Sequence, residues 1–183
     1  MSAKVVFLDR DGTINQDKGY VHQIEDFEVI PGALEALKLL TEAKISIYIV
    51  TNQGGIAKGL YNLKDFESLT NYMLELFKEN QIVVEGVLYC PHHPEGIIPQ
   101  LSIACECRKP KNTLLKQVID EKKIPLNNFA LIGDKNSDVE AARSLGIKSY
   151  LVETGYGKVE KIKTKADFVI CDLKSAVIHL LST

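Results

Sequence analysis

Two hydrophobic patterns alternate along the chain. Short apolar, β-branched or aromatic runs at residues 5–8, 46–50, 86–89, 129–132, 148–152 and 168–170 read as strands. The run at 5–8 is wholly apolar and ends abruptly at charges and glycine, as a strand buried on both faces of a parallel sheet would. Between the strands, apolar residues recur at helical spacing. Pro31 and Gly32 open a helix carrying Leu34, Leu37 and Leu40. Phe66, Leu69, Met73, Leu76 and Phe77 form one stripe of a longer helix, with Asn62 as its N-cap and Asp65 three residues on. Residues 114–121 and 174–181 predict two more helices. Another starts at Ser137, with Ser137 and Glu140 at capping-box spacing and Gly146 as its left-handed C-cap. Strands separated by helices predict an α/β fold: a doubly wound, mainly parallel, Rossmann-like sheet with helices on both faces. One stretch, residues 90–111, breaks the rhythm and reads as a loop until the next helix resumes near Pro110. A loop that long in a compact domain is usually functional or held by something.

Length and composition narrow the picture. The 183 residues fit a single domain spanning 1–183, without repeats, linkers or low-complexity segments. Net charge is −2 and no basic cluster is longer than two or three residues, so nothing draws a polyanion and nucleic acid is not an expected partner. No apolar stretch approaches the ~20 residues of a membrane helix, and the apolar run near the N-terminus is too short for a signal-peptide core. A cytoplasmic protein with reduced thiols is therefore expected, with no membrane partner. No predicted element has a surplus hydrophobic face, which points to a monomer.

In doubly wound sheets the ligand lies beyond the carboxyl ends of the strands. The residues there are Asp9, Arg10, Asp11, Gly12 and Thr13 after the first strand, and Thr51, Asn52, Gln53 and Gly54 after the second. Gly133 and Asp134 follow the strand at 129–132, with Asp138 in the next helix. Asp9, Asp11 and Asp134 packed together would repel one another unless a cation neutralised them. Hard oxygen ligands suit Mg²⁺, which also bridges to phosphate. A carboxylate so screened can attack phosphorus, which makes Asp9 the candidate nucleophile. Asp11, two residues on, is placed to protonate a leaving alkoxide and then to activate water. Gly12 permits a tight turn that presents backbone amides to phosphate oxygens. Asp138, in a first helical turn, is read as a dipole partner beside the ligands.

Asp9-x-Asp11-Gly12-Thr13, Thr51-Asn52, Lys109, and Gly133-Asp134 with Asp138 resemble the four ordered motifs of the haloacid dehalogenase superfamily. The resemblance implies Asp9 as nucleophile, Asp11 as acid and base, and Thr51 and Lys109 as holders of the transferring phosphoryl group. It implies Mg²⁺ at Asp134, with the backbone of Lys135 completing the metal's surroundings. Only about forty residues separate Asp11 from Thr51, too few for a cap domain, so an open, capless site is expected.

The anomalous loop holds Cys90-Pro91-His92 and Cys105-Glu106-Cys107. Residues two apart in extended chain project to one side, so each pair can chelate an ion and two pairs complete a tetrahedron. Cys90, His92, Cys105 and Cys107 thus form a candidate structural Zn²⁺ set at 90–109, although their spacing is tighter than usual. His93 would point the other way. The loop ends at Arg108 and Lys109, so a zinc clamp would fix where these cations point.

These loop motifs, together with 17–22 (Asp-Lys-Gly-Tyr-Val-His) and 51–57 (Thr-Asn-Gln-Gly-Gly-Ile-Ala), resemble the D-glycero-D-manno-heptose-1,7-bisphosphate 7-phosphatase family from about residue 5 to 155. That resemblance implies a sugar bisphosphate as substrate, in the supply of ADP-heptose for lipopolysaccharide core. It places Asp17, Lys18, Gly19, Tyr20, Thr51, Asn52, Gln53, Gly54, Arg108 and Lys109 at the substrate, with Arg108 recognising it. Family members often carry Ser at the position of Gly54. Histidinol-phosphate phosphatases share the acidic motifs and a zinc loop and are the alternative. A phospho-accepting receiver domain also gathers Asp, Thr and Lys at strand ends, but it places its acidic pair and acceptor on different strands and has no zinc loop.

Overall fold

The computed structural model describes residues 3–183. Its strands are β1 (Val5–Leu8), β2 (Ser46–Asn52), β3 (Gly86–Cys90), β4 (Phe129–Gly133), β5 (Lys148–Val152) and β6 (Phe168–Ile170). They form one six-stranded sheet in the order β3-β2-β1-β4-β5-β6, and every pairing is parallel. The fold is the doubly wound α/β sheet expected from the sequence, and no cap domain stands between Asp11 and Thr51. The helices are α1 (Ala33–Glu42), α2 (Leu63–Glu79), α3 (Thr113–Lys122), α4 (Asn136–Leu145), a short α5 (Gly157–Glu160) and α6 (Leu173–Ser182).

Alternate side chains of the central strands enter two cores. Val6, Leu8, Ile47, Ile49, Ala130 and Ile132 meet Leu37 and Leu40 of α1, Met73 and Phe77 of α2, and Val177 and Leu180 of α6. On the other face Val5, Phe7, Val50, Phe129 and Leu131 pack against Leu115 and Val118 of α3 and Ala141 and Ala142 of α4. Every residue of β1 and β4 is buried, so neither strand could alternate apolar with polar. A fully buried Leu or Phe contributes roughly 1.5–3 kcal/mol relative to exposure, so these two cores dominate the stability.

Local signals explain most helix ends. Asn62 caps α2, accepting from Lys64 N at 2.8 Å and Asp65 N at 3.2 Å, while the Asp65 carboxylate accepts from Asn62 N. Gly146 closes α4 with φ 70°. The capping box expected at Ser137 and Glu140 does not form. Instead α4 begins one residue earlier, and the Asp138 carboxylate accepts from Lys135 N at 3.1 Å. A carboxylate at the positive end of a helix is a stronger acceptor than a serine hydroxyl, and Ser137 is left in the first turn facing the cleft.

The segment between β3 and α3 is held differently. From Pro91 to Arg108 no residue is buried, and Ile97 is 72% exposed. Only a few main-chain bonds fasten it, among them Ile97 N and Ile98 N to Ala57 O at 2.8 and 3.0 Å. Leu101 packs against the small cluster of Ile56, Tyr61 and Phe66, but with no buried residue of its own the loop depends mainly on its polar and sulfur contacts.

Candidate active site and metal centre

β1 passes between β2 and β4, so the residues that follow these three strands emerge side by side at one edge. Asp9 is fixed by its amide on Ile132 O at 3.0 Å. Oxygens of Asp9, Asp134 and Asp138 lie within 4.8 Å of one another, all three residues being buried. Lys109 reaches in from the loop after β3, its Nζ 2.8 Å from Asp9 Oδ1 and 2.6 Å from Asp138 Oδ1, and it donates to Val50 O at 2.6 Å. Asp138 therefore belongs to the charge cluster itself, whereas the sequence reading set it alongside. Asp9, Asp11, Thr51, Asn52, Lys109, Lys135, Ser137 and Asp138 line a well of 30 Å³. The well opens into a cleft of 390 Å³.

The carboxylates outnumber the cations that touch them. Burial raises the Asp9 pKa despite the opposing pull of Lys109, and Asp138 adds to the rise. Burial, then Asp9, pushes Asp134 up to about 8. Burial alone would lower Lys109, but Asp138 and Asp9 outweigh it and hold the ammonium above its ordinary value. Asp134 Oδ2 accepts from Tyr156 N at 2.8 Å, while its Oδ1 is buried with no hydrogen-bond partner. An orphaned carboxylate oxygen beside a second carboxylate fits a hard cation such as Mg²⁺.

Two glycines admit Asp134. A Cβ on Gly12 would lie 2.2 Å from Asp134 Oδ2, and one on Gly155 would lie 2.1 Å from the same atom. The Gly12 amide itself donates to Asn15 O at 2.7 Å, so it is not offered to phosphate as the sequence reading expected. The motif's tight turn uses its amide internally, and the missing side chain is what serves the site. Gly155 and the cleft-lining Tyr156 were not singled out from sequence. They follow β5, and extending the search for strand-end residues to that strand would have found them.

The Asp11 carboxylate stands apart from the other three. It pairs with Arg10 Nη2 at 2.9 Å and Nε at 3.2 Å, and accepts from Asn15 Nδ2 at 3.0 Å and Gln53 Nε2 at 3.2 Å. Arg10 is 1% exposed and also donates to Val21 O at 2.7 Å, tying the 17–22 segment to the motif. Asn52 makes a two-way amide contact with the Lys109 main chain, 3.0 Å in each direction. Lys135 has its N–H on Asp138 and its carbonyl accepting from Asp138 N at 3.0 Å, while its Nζ meets Asp17 Oδ2 at 3.0 Å.

Asp17, Gly19, Tyr20, Asn52, Gln53, Gly54, Arg108 and Lys109 of the anticipated substrate residues line the cleft. Lys18 does not, and its ammonium pairs with Glu28 at 3.2 Å. Gly19 and Tyr20 take φ 79° and 54°, which curls the segment so that Tyr20 faces Lys58 Nζ at 3.0 Å. Gly54 leaves space that a Cβ would contest, with Arg108 Nη1 and His93 Cδ2 each 3.0 Å away.

The loop brings Cys90, His92, Cys105 and Cys107 together, one potential ligand atom of each within 4.8 Å of the others. Cys107 Sγ is 3.0 Å from Cys90 Sγ and 3.2 Å from His92 Nδ1. His93 lies outside the set, its Nδ1 accepting from Glu95 N at 3.1 Å. Burial raises the Cys90 thiol pKa, so the protein alone does not favour its thiolate. Three thiols and an imidazole in mutual contact, in a loop without a core, fit a tetrahedral soft-ligand metal.

Comparison with known proteins agrees with this geometry. Residues 106–176 match the family model described as HAD-hyrolase-like. The D-glycero-beta-D-manno-heptose-1,7-bisphosphate 7-phosphatase of Haemophilus ducreyi is 42% identical over 98% of this chain and 100% of its own length. The D-glycero-alpha-D-manno-heptose-1,7-bisphosphate 7-phosphatase of Photorhabdus laumondii is 42% identical over 84% of each chain. Among solved structures, the D,D-heptose 1,7-bisphosphate phosphatase of B. bronchiseptica, complexed with magnesium and phosphate, superposes with a TM-score of 0.88 at 29% identity, covering 98% of both chains.

Proposed function

Because this chain belongs to the D-glycero-D-manno-heptose-1,7-bisphosphate 7-phosphatase family of the haloacid dehalogenase superfamily, we propose that it removes the 7-phosphate of that bisphosphate through Asp9. It is a phosphoric monoester hydrolase acting on a heptose bisphosphate. The observation that carries the reading is the convergence of nucleophile, hydroxyl and ammonium from β1, β2 and the loop after β3 on one well, with the unpartnered Asp134 carboxylate oxygen, from the end of β4, beside Asp9.

Asp9 and Asp134, whose oxygens lie together, would hold Mg²⁺, while the Asp11 carboxylate stays with Arg10, Asn15 and Gln53. Bound there, the ion would screen carboxylate from phosphate and polarise the phosphoryl oxygens. Asp9 forms a bond to phosphorus as the bond to the C7 oxygen breaks, giving an aspartyl-phosphate. Asp11 delivers a proton to the departing alkoxide, then takes one from the water that releases inorganic phosphate and restores Asp9. Thr51 and Lys109 supply a hydroxyl and an ammonium to the charge spreading over the phosphoryl oxygens. Arg108 stands in the wide cleft for the sugar and its remaining phosphate. Cys90, His92, Cys105 and Cys107 would hold a structural Zn²⁺.

Phosphorus NMR of D-glycero-D-manno-heptose 1,7-bisphosphate turned over with Mg²⁺ tests this. The anomeric phosphate signal should persist while inorganic phosphate appears. Loss of the anomeric signal, or faster turnover of histidinol phosphate, would contradict the reading. An Asp9→Asn protein should leave both phosphates in place.

A further inference from the structure

We propose that Tyr61 is a positioning residue for phosphoryl transfer, setting Thr51 and Asp11 through the side-chain amide of Gln53. The inference rests on the phosphatase reading above and deepens it. Tyr61 Oη lies 2.5 Å from Gln53 Oε1, while Gln53 Nε2 is 2.8 Å from Thr51 Oγ1 and 3.2 Å from Asp11 Oδ2. Tyr61, Gln53 and Thr51 are 7%, 2% and 1% exposed, at the floor of the cleft, so little water reaches these contacts.

The direction of each bond follows from the chemistry. The Asp11 oxygens already accept from Arg10 and Asn15, and Gln53 turns its NH₂ toward Asp11 and its amide oxygen toward Tyr61. Tyr61 must then donate, and burial raises its pKa, keeping the phenol protonated. One amide hydrogen goes to Asp11 and the other to Thr51. With a Thr51 lone pair taken by that hydrogen, the threonine proton is directed away from Gln53, and the open side is the well it lines with Asp9 and Lys109. The phenol thus decides which way the amide faces, and the amide decides where Thr51 donates. Without the phenol, the amide oxygen loses its buried partner and the flipped orientation gains ground.

The ring is held independently of its hydroxyl. It stacks on His22 at 4.8 Å with planes 4° apart, and Gly55 leaves the room it occupies, since a Cβ there would lie 2.1 Å from Tyr61 Cε1. Tyr61→Phe therefore removes the donor and leaves the packing.

The test combines kinetics with NMR on the full chain. Tyr61→Phe should lower kcat on the heptose bisphosphate on the order of tenfold, with KM and melting temperature nearly unchanged. In a Gln53→Leu background the same change should add no further loss, because Tyr61 then has no route to the site. Without substrate, Tyr61→Phe should shift the ¹⁵N-labelled Gln53 side-chain resonances. Wild-type kcat in Tyr61→Phe, or an equal loss in both backgrounds, would overturn the proposal. If the wild type hydrolyses no phosphate ester with Mg²⁺, the phosphatase reading fails by itself. The Gln53 resonances then decide the coupling: shifted, they uphold it, and unshifted, they sink it.

Discussion

Asn52 illustrates how a residue's chemistry is set by what already occupies its hydrogen-bonding groups. Its position at the carboxyl end of β2 marks it from sequence as a substrate contact, yet its amide oxygen takes Lys109 N–H and its amide nitrogen reaches Lys109 O. The side chain fixes the main chain from which the transition-state ammonium extends. Asn52→Ala should accordingly lower kcat on the order of tenfold and leave KM nearly constant, because Lys109 acts on charge that develops only in the transition state. A rise in KM at constant kcat would make Asn52 a substrate contact instead. Asp11 shows a comparable limit of sequence reading. Its spacing from Asp9 is plain in the motif, but its partners Arg10, Asn15 and Gln53 are known only once the turn is folded.

At the scale of elements, all six strands were legible because each is a short apolar or β-branched run ending at a turn or charge. β2, β3 and β4 extend one or two residues further than their hydrophobic pattern, since Thr51, Asn52, Cys90 and Gly133 keep ladder pairing while carrying site chemistry. The short α5 was not anticipated: four residues, with Val159 exposed, have no periodicity to read. The loop's cysteine–histidine set was legible as spacing, and so was its link to the two cations; that the loop would hold them unequally was not. Arg108 approaches His92 O at 3.4 Å and is otherwise placed by the loop, whereas Lys109 is also held by Asn52, Asp9, Asp138 and Val50 O. Cys107→Ser should therefore release zinc by elemental analysis and raise KM through Arg108 more than it lowers kcat through Lys109. Equal effects on both would mean the loop alone sets Lys109. A second element-scale prediction concerns α6, whose N-cap Asp172 accepts from Ser175 N at 2.7 Å. That hydrogen bond, outweighing a smaller burial effect, lowers the Asp172 pKa below 3.8. Its stabilisation is present above the unfolded value near 3.8 and is lost as pH falls through the lower folded value. Asp172→Ala should cost about 1 kcal/mol in urea unfolding at pH 7, and progressively less as pH falls below 3.8. An undiminished cost at low pH would show that the cap acts without its charge.

For the whole molecule, both cores share the same central strands, so neither face of the sheet can unfold while the other stays buried. A single cooperative domain is the expectation. Near- and far-ultraviolet circular dichroism should report coincident thermal transitions, and two separated transitions would divide the chain. The strand order also has a consequence during synthesis. β1 leaves the ribosome first, but β4, its partner across the active edge, follows roughly 120 residues later, on the order of ten seconds at ordinary elongation rates. Until then the nascent chain carries Asp9 and Asp11 with neither Asp134 nor the Tyr156 amide that orients it. The acidic motif after β1 thus waits on β4 and on the turn after β5 before its cation site can close.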